Sequence, residues 1–281
     1  MGNLLKDKDL SDDRLFSLCL NNKEFSKMLL EIILGVDIEE LEVIQTQKAI
    51  RNLAEGCKGV CLDAYIKADG KIYNVEMQRE RKSWGNSGDS IVKRARFYQG
   101  MIDTLNLQSG GEFNYNDLMD TIVIFIADYD VFGKGLYSYH FKEMSVEKES
   151  FELGSGTEKI FLNTKGFIRS DESDDLIRLL GYIGDSKDDI AKGSKKVETL
   201  SRYFNLLKED ESMEMNYLRL AQERKEGIEI GEEKAIRKLI RSKMDKGKSV
   251  SEIVKEIDTV DESFIIAEMN KYNEERNKVR M

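Results

Sequence analysis

Proline is absent from the 281 residues. No cis-proline step can limit folding, and loops must be built on glycine and on Asx and Ser turns. Histidine occurs once, as His140, so chemistry that needs a histidine pair or a histidine-rich zinc set has no material here. The three cysteines, Cys19, Cys57 and Cys61, make no disulfide framework, and Cys57-x3-Cys61 beside one distant histidine is a poor zinc set. No run approaches the roughly 18 apolar residues of a membrane span. The N-terminal stretch lacks the apolar segment and small-residue cleavage site of a signal peptide. A soluble, cytoplasmic protein is expected. Positive charge is also scarce: the net charge of −9 argues against a protein that coats nucleic acid non-specifically. It leaves room for a local basic surface. The span from Arg79 to Arg96 holds six basic side chains against two acidic ones.

What the chain does contain is a hairpin pattern from Gly59 to Gln78. Val60, Leu62, Ala64 and Ile66 alternate with Cys61, Asp63, Tyr65 and Lys67, an Asp69-Gly70 turn follows, and Ile72, Tyr73 and Val75 lead into Glu76, Met77 and Gln78. Alternation around an Asp-Gly pair is a strong hairpin signal. Strand side chains alternate between faces, so Asp63 shares a face with Cys61 and Tyr65, and Glu76 with Asn74 and Gln78. If the register brings those faces together, two carboxylates meet. Such a pair is costly to bury unless a cation lies between them. Mg²⁺ or Mn²⁺ accepts two carboxylates, a backbone carbonyl and waters. A solvated strand face is the plainer alternative.

The spacing Asp63-x12-Glu76-x-Gln78 resembles the active-site core of the PD-(D/E)xK nucleases, with Leu62 in place of the proline and Gln78 in place of the lysine. Lysine offers a charge where glutamine offers only hydrogen bonds. Further blocks narrow the resemblance. Asp13-x-x-Phe16, RARFYQGMID (94–103), TIVIFIADYDVFGKGLYSYHF (121–141) and KIFLNTKG (159–166) are similar to one bacterial family of PD-(D/E)xK proteins, the recombination-promoting nucleases and related transposase-like proteins. The resemblance covers about residues 10 to 230, and in that family glutamine is the usual occupant of the lysine position.

The resemblance implies an α/β, restriction-endonuclease-like αβββαβ core over residues 1–168. It also implies an Mg²⁺- or Mn²⁺-dependent DNA endonuclease linked to recombination or a mobile element. Asp63, Glu76 and the Met77 carbonyl would hold the metal. Gln78 would orient a water or a phosphate oxygen, and Asp13, or another early acid such as Glu24, would reach the metal through water. Arg94, Arg96 and Tyr98 would face the backbone of double-stranded DNA. For Arg94 a salt bridge to a nearby acid is the alternative, and for Tyr98 a place in the core. Trp84 could stack on a base or pin its loop. His140 reads as a packed or exposed strand residue ahead of a general base.

The remaining pattern supplies the frame. Ser11 or Asp12 can cap a first helix, Asn21-Asn22 interrupts it, and Gly35 closes a second. Strands are expected over 42–50, 121–127, 136–141 and 159–162, with a helix over 90–107. Residues 169–281 turn helical and charged, with periodicity over 176–183 and 197–207. Capping boxes at Ser249-x-x-Glu252 and Thr259-x-x-Glu262 point to three short helices over 236–275. Those helices match a DNA reader's layout, but an ordinary helical hairpin fits as well, since the candidate recognition helix carries more acid than base. Two rival functions remain open. One is a DNA- or protein-binding module on a catalytically weak nuclease scaffold. The other is an oligomer, for instance a homodimer, assembled through the charged helices.

Overall fold

A computed structural model describes residues 4–50, 59–79, 90–107, 114–257 and 260–279. Cys57, Trp84, Thr259 and much of the basic stretch after Arg79 lie outside the described residues.

The chain is α/β, with six strands in one mixed sheet of order β1-β2-β3-β4-β6-β5. Two helices come first, α1 (Asp13–Cys19) and α2 (Lys23–Leu34). The Asp12 side chain caps α1 by accepting from the N–H groups of Arg14 and Leu15. Asn22 caps α2, and Gly35 ends it in the left-handed conformation that favours glycine. Strand β1 (Leu41–Ile50) then pairs antiparallel with β2 (Val60–Ala68), which turns at Asp69-Gly70 into β3 (Lys71–Gln78). Helix α3 (Ile91–Leu107) carries the chain over to β4 (Thr121–Ala127), parallel to β3. An antiparallel pair, β5 (Ser138–Lys142) and β6 (Thr157–Asn163), completes the sheet, with β6 parallel to β4.

Every residue of β4 is buried. Successive side chains point to opposite faces, so both faces of this strand are covered, as its unbroken apolar run requires. On one face Val123 and Phe125 join Leu62, Tyr65, Ile72 and Phe161 under the Ile91, Ala95 and Ile102 side of α3. Helix α1 packs against β1 and β3 and α2 against β1, and α2 packs in turn on α4 (Asp174–Gly184) and α6 (Lys195–Glu209). A short helix α5 (Asp188–Ala191) joins those two and has no periodic signal in the sequence.

By compactness the chain divides into Met1–Tyr217 and Leu218–Met281. Helix α7 (Glu211–Asp245) runs 35 residues, so the first of the three short helices expected over 236–275 is the end of a longer one. Gly227 and Gly231 weaken it by roughly 1 kcal/mol each. Ladder pairs such as Arg219–Glu223 and Lys225–Glu229 act the other way. In the second unit, α8 (Val250–Glu256) opens with the expected Ser249/Glu252 capping box, and α9 (Glu262–Val279) follows. Ile240, Ile253, Ile257, Ile265 and Met269 form its core, and the buried Glu268 carboxylate is bound by Arg237 and Arg241. Among the described residues no helix is long and apolar enough to cross a membrane.

One clamp closes the first unit. Tyr217 donates to Asp12 Oδ2 at 3.0 Å and accepts from Arg14 at 2.8 Å, while Lys8 lies 3.3 Å from the same carboxylate. Asp12 thus serves both as a helix cap and as the anchor for a residue 205 positions away. Asp12→Ala is expected to destabilise the protein by about 1–2 kcal/mol, and Asp12→Asn by less. Urea unfolding of both variants checks this, and an alanine variant as stable as wild type rejects it.

Candidate active site

Asp63 lies where the β-sheet ladder opens on both sides. β1 pairs with β2 at Thr46–Ala64 and again at Lys48–Leu62, skipping Gln47 and Asp63. The β2–β3 ladder ends at Ala64–Val75, one step before Asp63 would face Glu76. Leu62 and Tyr65 both enter the core under α3, although three residues apart they belong on opposite faces of a regular strand. The alternation therefore breaks between Leu62 and Tyr65, while the β1–β2 register on either side of Asp63 is unchanged.

Side chains take over where the ladder stops. The Asp63 N–H donates to Glu76 Oε1 at 2.9 Å, and the Met77 N–H donates to Asp63 Oδ2 at 3.1 Å. Each carboxylate thus satisfies a main-chain donor on the opposite strand, and each keeps an oxygen uncommitted to the backbone. Glu76 is only 2% exposed. From α1, the Ser17 hydroxyl donates to the Asp63 carbonyl at 3.1 Å. From β1, the Gln47 amide donates to Ser17 Oγ at 2.9 Å and reaches 3.5 Å from Asp63 Oδ1.

The remaining wall comes from α3. Arg94 donates to Gln78 Oε1 at 2.6 Å and to the Tyr98 hydroxyl at 3.0 Å, and lies 3.9 Å from Glu76 Oε2. Gln78 uses its other end to donate to the Arg79 carbonyl at 3.1 Å, so both ends of its amide are engaged. Tyr98 is buried against Phe125 in the core. Arg96 is exposed on α3, two positions from Arg94 and so on another side of the helix.

The fold thus gathers Asp63, Glu76, Met77, Gln78, Arg94 and Tyr98, and places Asp13 close enough to act electrostatically on Asp63. It leaves Arg96 apart. His140 sits on β5, three strand steps or about 14 Å from β3. There, as an exposed strand residue, it pairs with Glu158 at 2.6 Å. Ser17 and Gln47 escape the sequence reading, because a serine in a helix and a glutamine in a strand carry no periodic mark.

Burial pushes the Asp63 carboxyl up to about 6; the Asp13 charge adds to this, while the Met77 N–H, Arg94 and Gln47 oppose it. Burial and the Asp63 charge hold Glu76 well above the usual carboxylate range. Among the described residues no three His, Cys, Asp or Glu side chains gather as a ready metal cluster. A cation here would take two carboxylates and complete its shell with main-chain oxygen and water, a donor set that suits Mg²⁺ or Mn²⁺. The two crowded acids fit that role, since a divalent cation offsets the burial that raises both and the like charges beside them.

In the metal-free protein, folding takes up protons at Asp63 between its unfolded value of 3.8 and about 6. Stability therefore falls as pH rises through that window. Asp63→Asn is expected to remove the penalty, gaining roughly 1–3 kcal/mol at pH 7.5 in the presence of a chelator, and to flatten the pH dependence. Thermal melts at pH 5 and 7.5 check this; parallel curves for wild type and variant reject it. In comparisons with known proteins, no family model, no curated protein and no solved structure matches the chain.

Proposed function

We propose that the chain is a metal-dependent DNA endonuclease with a restriction-endonuclease-like core, serving recombination or a mobile element. The observation that carries this reading is the Asp63–Glu76 pair, half-buried Asp63 beside buried Glu76, where the ladder between β2 and β3 ends. The element order supports it: two helices, a three-stranded antiparallel meander, a crossover helix and a parallel strand. Glu76 and Gln78 stand at the carboxyl end of β3, where open α/β sheets place their ligands.

Asp63, Glu76 and the Met77 carbonyl would hold Mg²⁺ or Mn²⁺. The bound ion supplies Lewis acidity toward a phosphodiester and acidifies water. The chain's own residues prepare the site. The Met77 N–H fixes Asp63, and the Asp63 N–H fixes Glu76. Arg94 supplies positive charge beside Gln78, where a lysine would otherwise bring its own. In turn Arg94 orients the Gln78 amide toward the site. Arg96 and Lys93, both exposed on α3, are the groups available for phosphate contacts, which make binding salt-dependent and largely blind to sequence.

A binding module on the same scaffold is the second reading. It is favoured by the engagement of both ends of Gln78 and, among the described residues, by the lack of a third side chain gathered with the pair as a metal ligand. Plasmid nicking with Mg²⁺ or Mn²⁺ separates the two. Asp63→Ala and Glu76→Gln are expected to lower cleavage at least about 100-fold while duplex DNA is still shifted in a gel. DNA binding without metal-dependent nicking by the wild type would establish the module instead. Arg96→Ala is expected to weaken DNA binding and to reduce the slope of log K against log salt by about 1; an unchanged slope removes Arg96 from the contact.

A further inference from the structure

Gln47 has a backbone that its place in a strand does not call for. Its φ is 49°, in the left-handed region that L side chains disfavour. Among the described residues one other non-glycine shares the feature, Asp69 with φ 47°, and the tight Asp69-Gly70 turn demands it there. Gln47 lies in the middle of β1, between two residues that keep their partners on β2. No turn explains it.

Its side chain does. The left-handed step takes Gln47 out of the ladder and leaves its amide among three groups. Nε2 donates to Ser17 Oγ at 2.9 Å and lies 3.5 Å from Asp63 Oδ1, and Oε1 accepts from the Cys61 thiol at 3.6 Å. The Ser17 hydroxyl in turn donates a hydrogen bond to the Asp63 carbonyl. One amide thus touches the carboxylate of Asp63 directly and its main chain through a hydroxyl. Met77 holds the other carboxylate oxygen.

We propose that Gln47 is the positioning residue of the site, setting the rotation and depth of the Asp63 carboxylate so that its oxygens are presented to a divalent cation. The inference rests on the metal-dependent reading given above. Gln47 touches no reacting atom in this role; it acts through Asp63 and Ser17. Strain held at one residue is retained where it orients a functional group, and here the group it orients is identified.

The test separates positioning from plain stapling of α1 to β1, using the full chain and Mn²⁺ as the probe. Gln47→Gly removes the amide and adopts φ 49° freely, whereas Gln47→Met removes the amide, keeps the volume and keeps the strain. Gln47→Gly should therefore melt above Gln47→Met. Both should bind Mn²⁺ about tenfold more weakly than wild type, by calorimetry and by the paramagnetic resonance signal of free Mn²⁺. In nicking assays both should need about tenfold more metal, with the rate at saturating metal largely kept. If Mn²⁺ affinity instead follows melting temperature across the two variants, Gln47 is a staple and the proposal falls. If wild type binds Mn²⁺, Asp63→Ala abolishes binding and both Gln47 variants bind like wild type, the proposal falls while the metal reading stands. If wild type binds no Mn²⁺, or Asp63→Ala binds it equally well, both fall.

Discussion

Two carboxylates placed inside a sheet cannot be left without donors, and meeting that requirement shapes the molecule around them. Asp63 and Glu76 take the hydrogen bonds that the ladder would have made, each accepting from the main chain of the facing strand. The ladder can therefore stop without leaving those N–H groups orphaned. The strands open by one step, and the opening gives Gln47, Ser17 and Arg94 access to the pair. A regular hairpin would have filled that space with backbone.

Charge is distributed with the same economy. The chain as a whole is acidic, yet the site holds one guanidinium close to Glu76 and shared with Gln78 and Tyr98. Arg94 also lies over the rings of Tyr98 and Phe125, so its body belongs to the core and its charge to the site. That dual role explains how a glutamine can stand at the end of β3 without the region losing positive charge.

Much of this was legible in the residues. The Asp-Gly turn with its flanking alternation defined β2 and β3, and the run TIVIFIA identified a strand covered on both faces. Asp12, Asn22, Gly35 and Ser249 marked helix ends because capping is local chemistry. Other features depend on tertiary contacts. The 136–141 alternation became β5 at Ser138–Lys142, since Leu136 instead bridges to Ile168. Helix α7 runs through two glycines that would weaken it in isolation. Within the site, the period allowed Asp63 and Glu76 to meet but left the register open, whereas the left-handed Gln47 had no signal at all, because glutamine has no preference for that conformation.

The grip of Tyr217 on Asp12 also bears on the order in which the chain can assemble. Helix α1 is made long before Tyr217 and carries both Asp13 and Ser17 toward Asp63. Its cap is local, but the second oxygen of that cap is not taken up until a residue more than two hundred positions later has emerged. Contacts between such distant partners form late, because closing the loop costs entropy before it yields any contact energy. During synthesis from the N-terminus, the sheet that holds Asp63 and Glu76 can therefore be in place before the helix beside them is locked. The helix that brings Ser17 to this site is thus held by a tyrosine that never touches it.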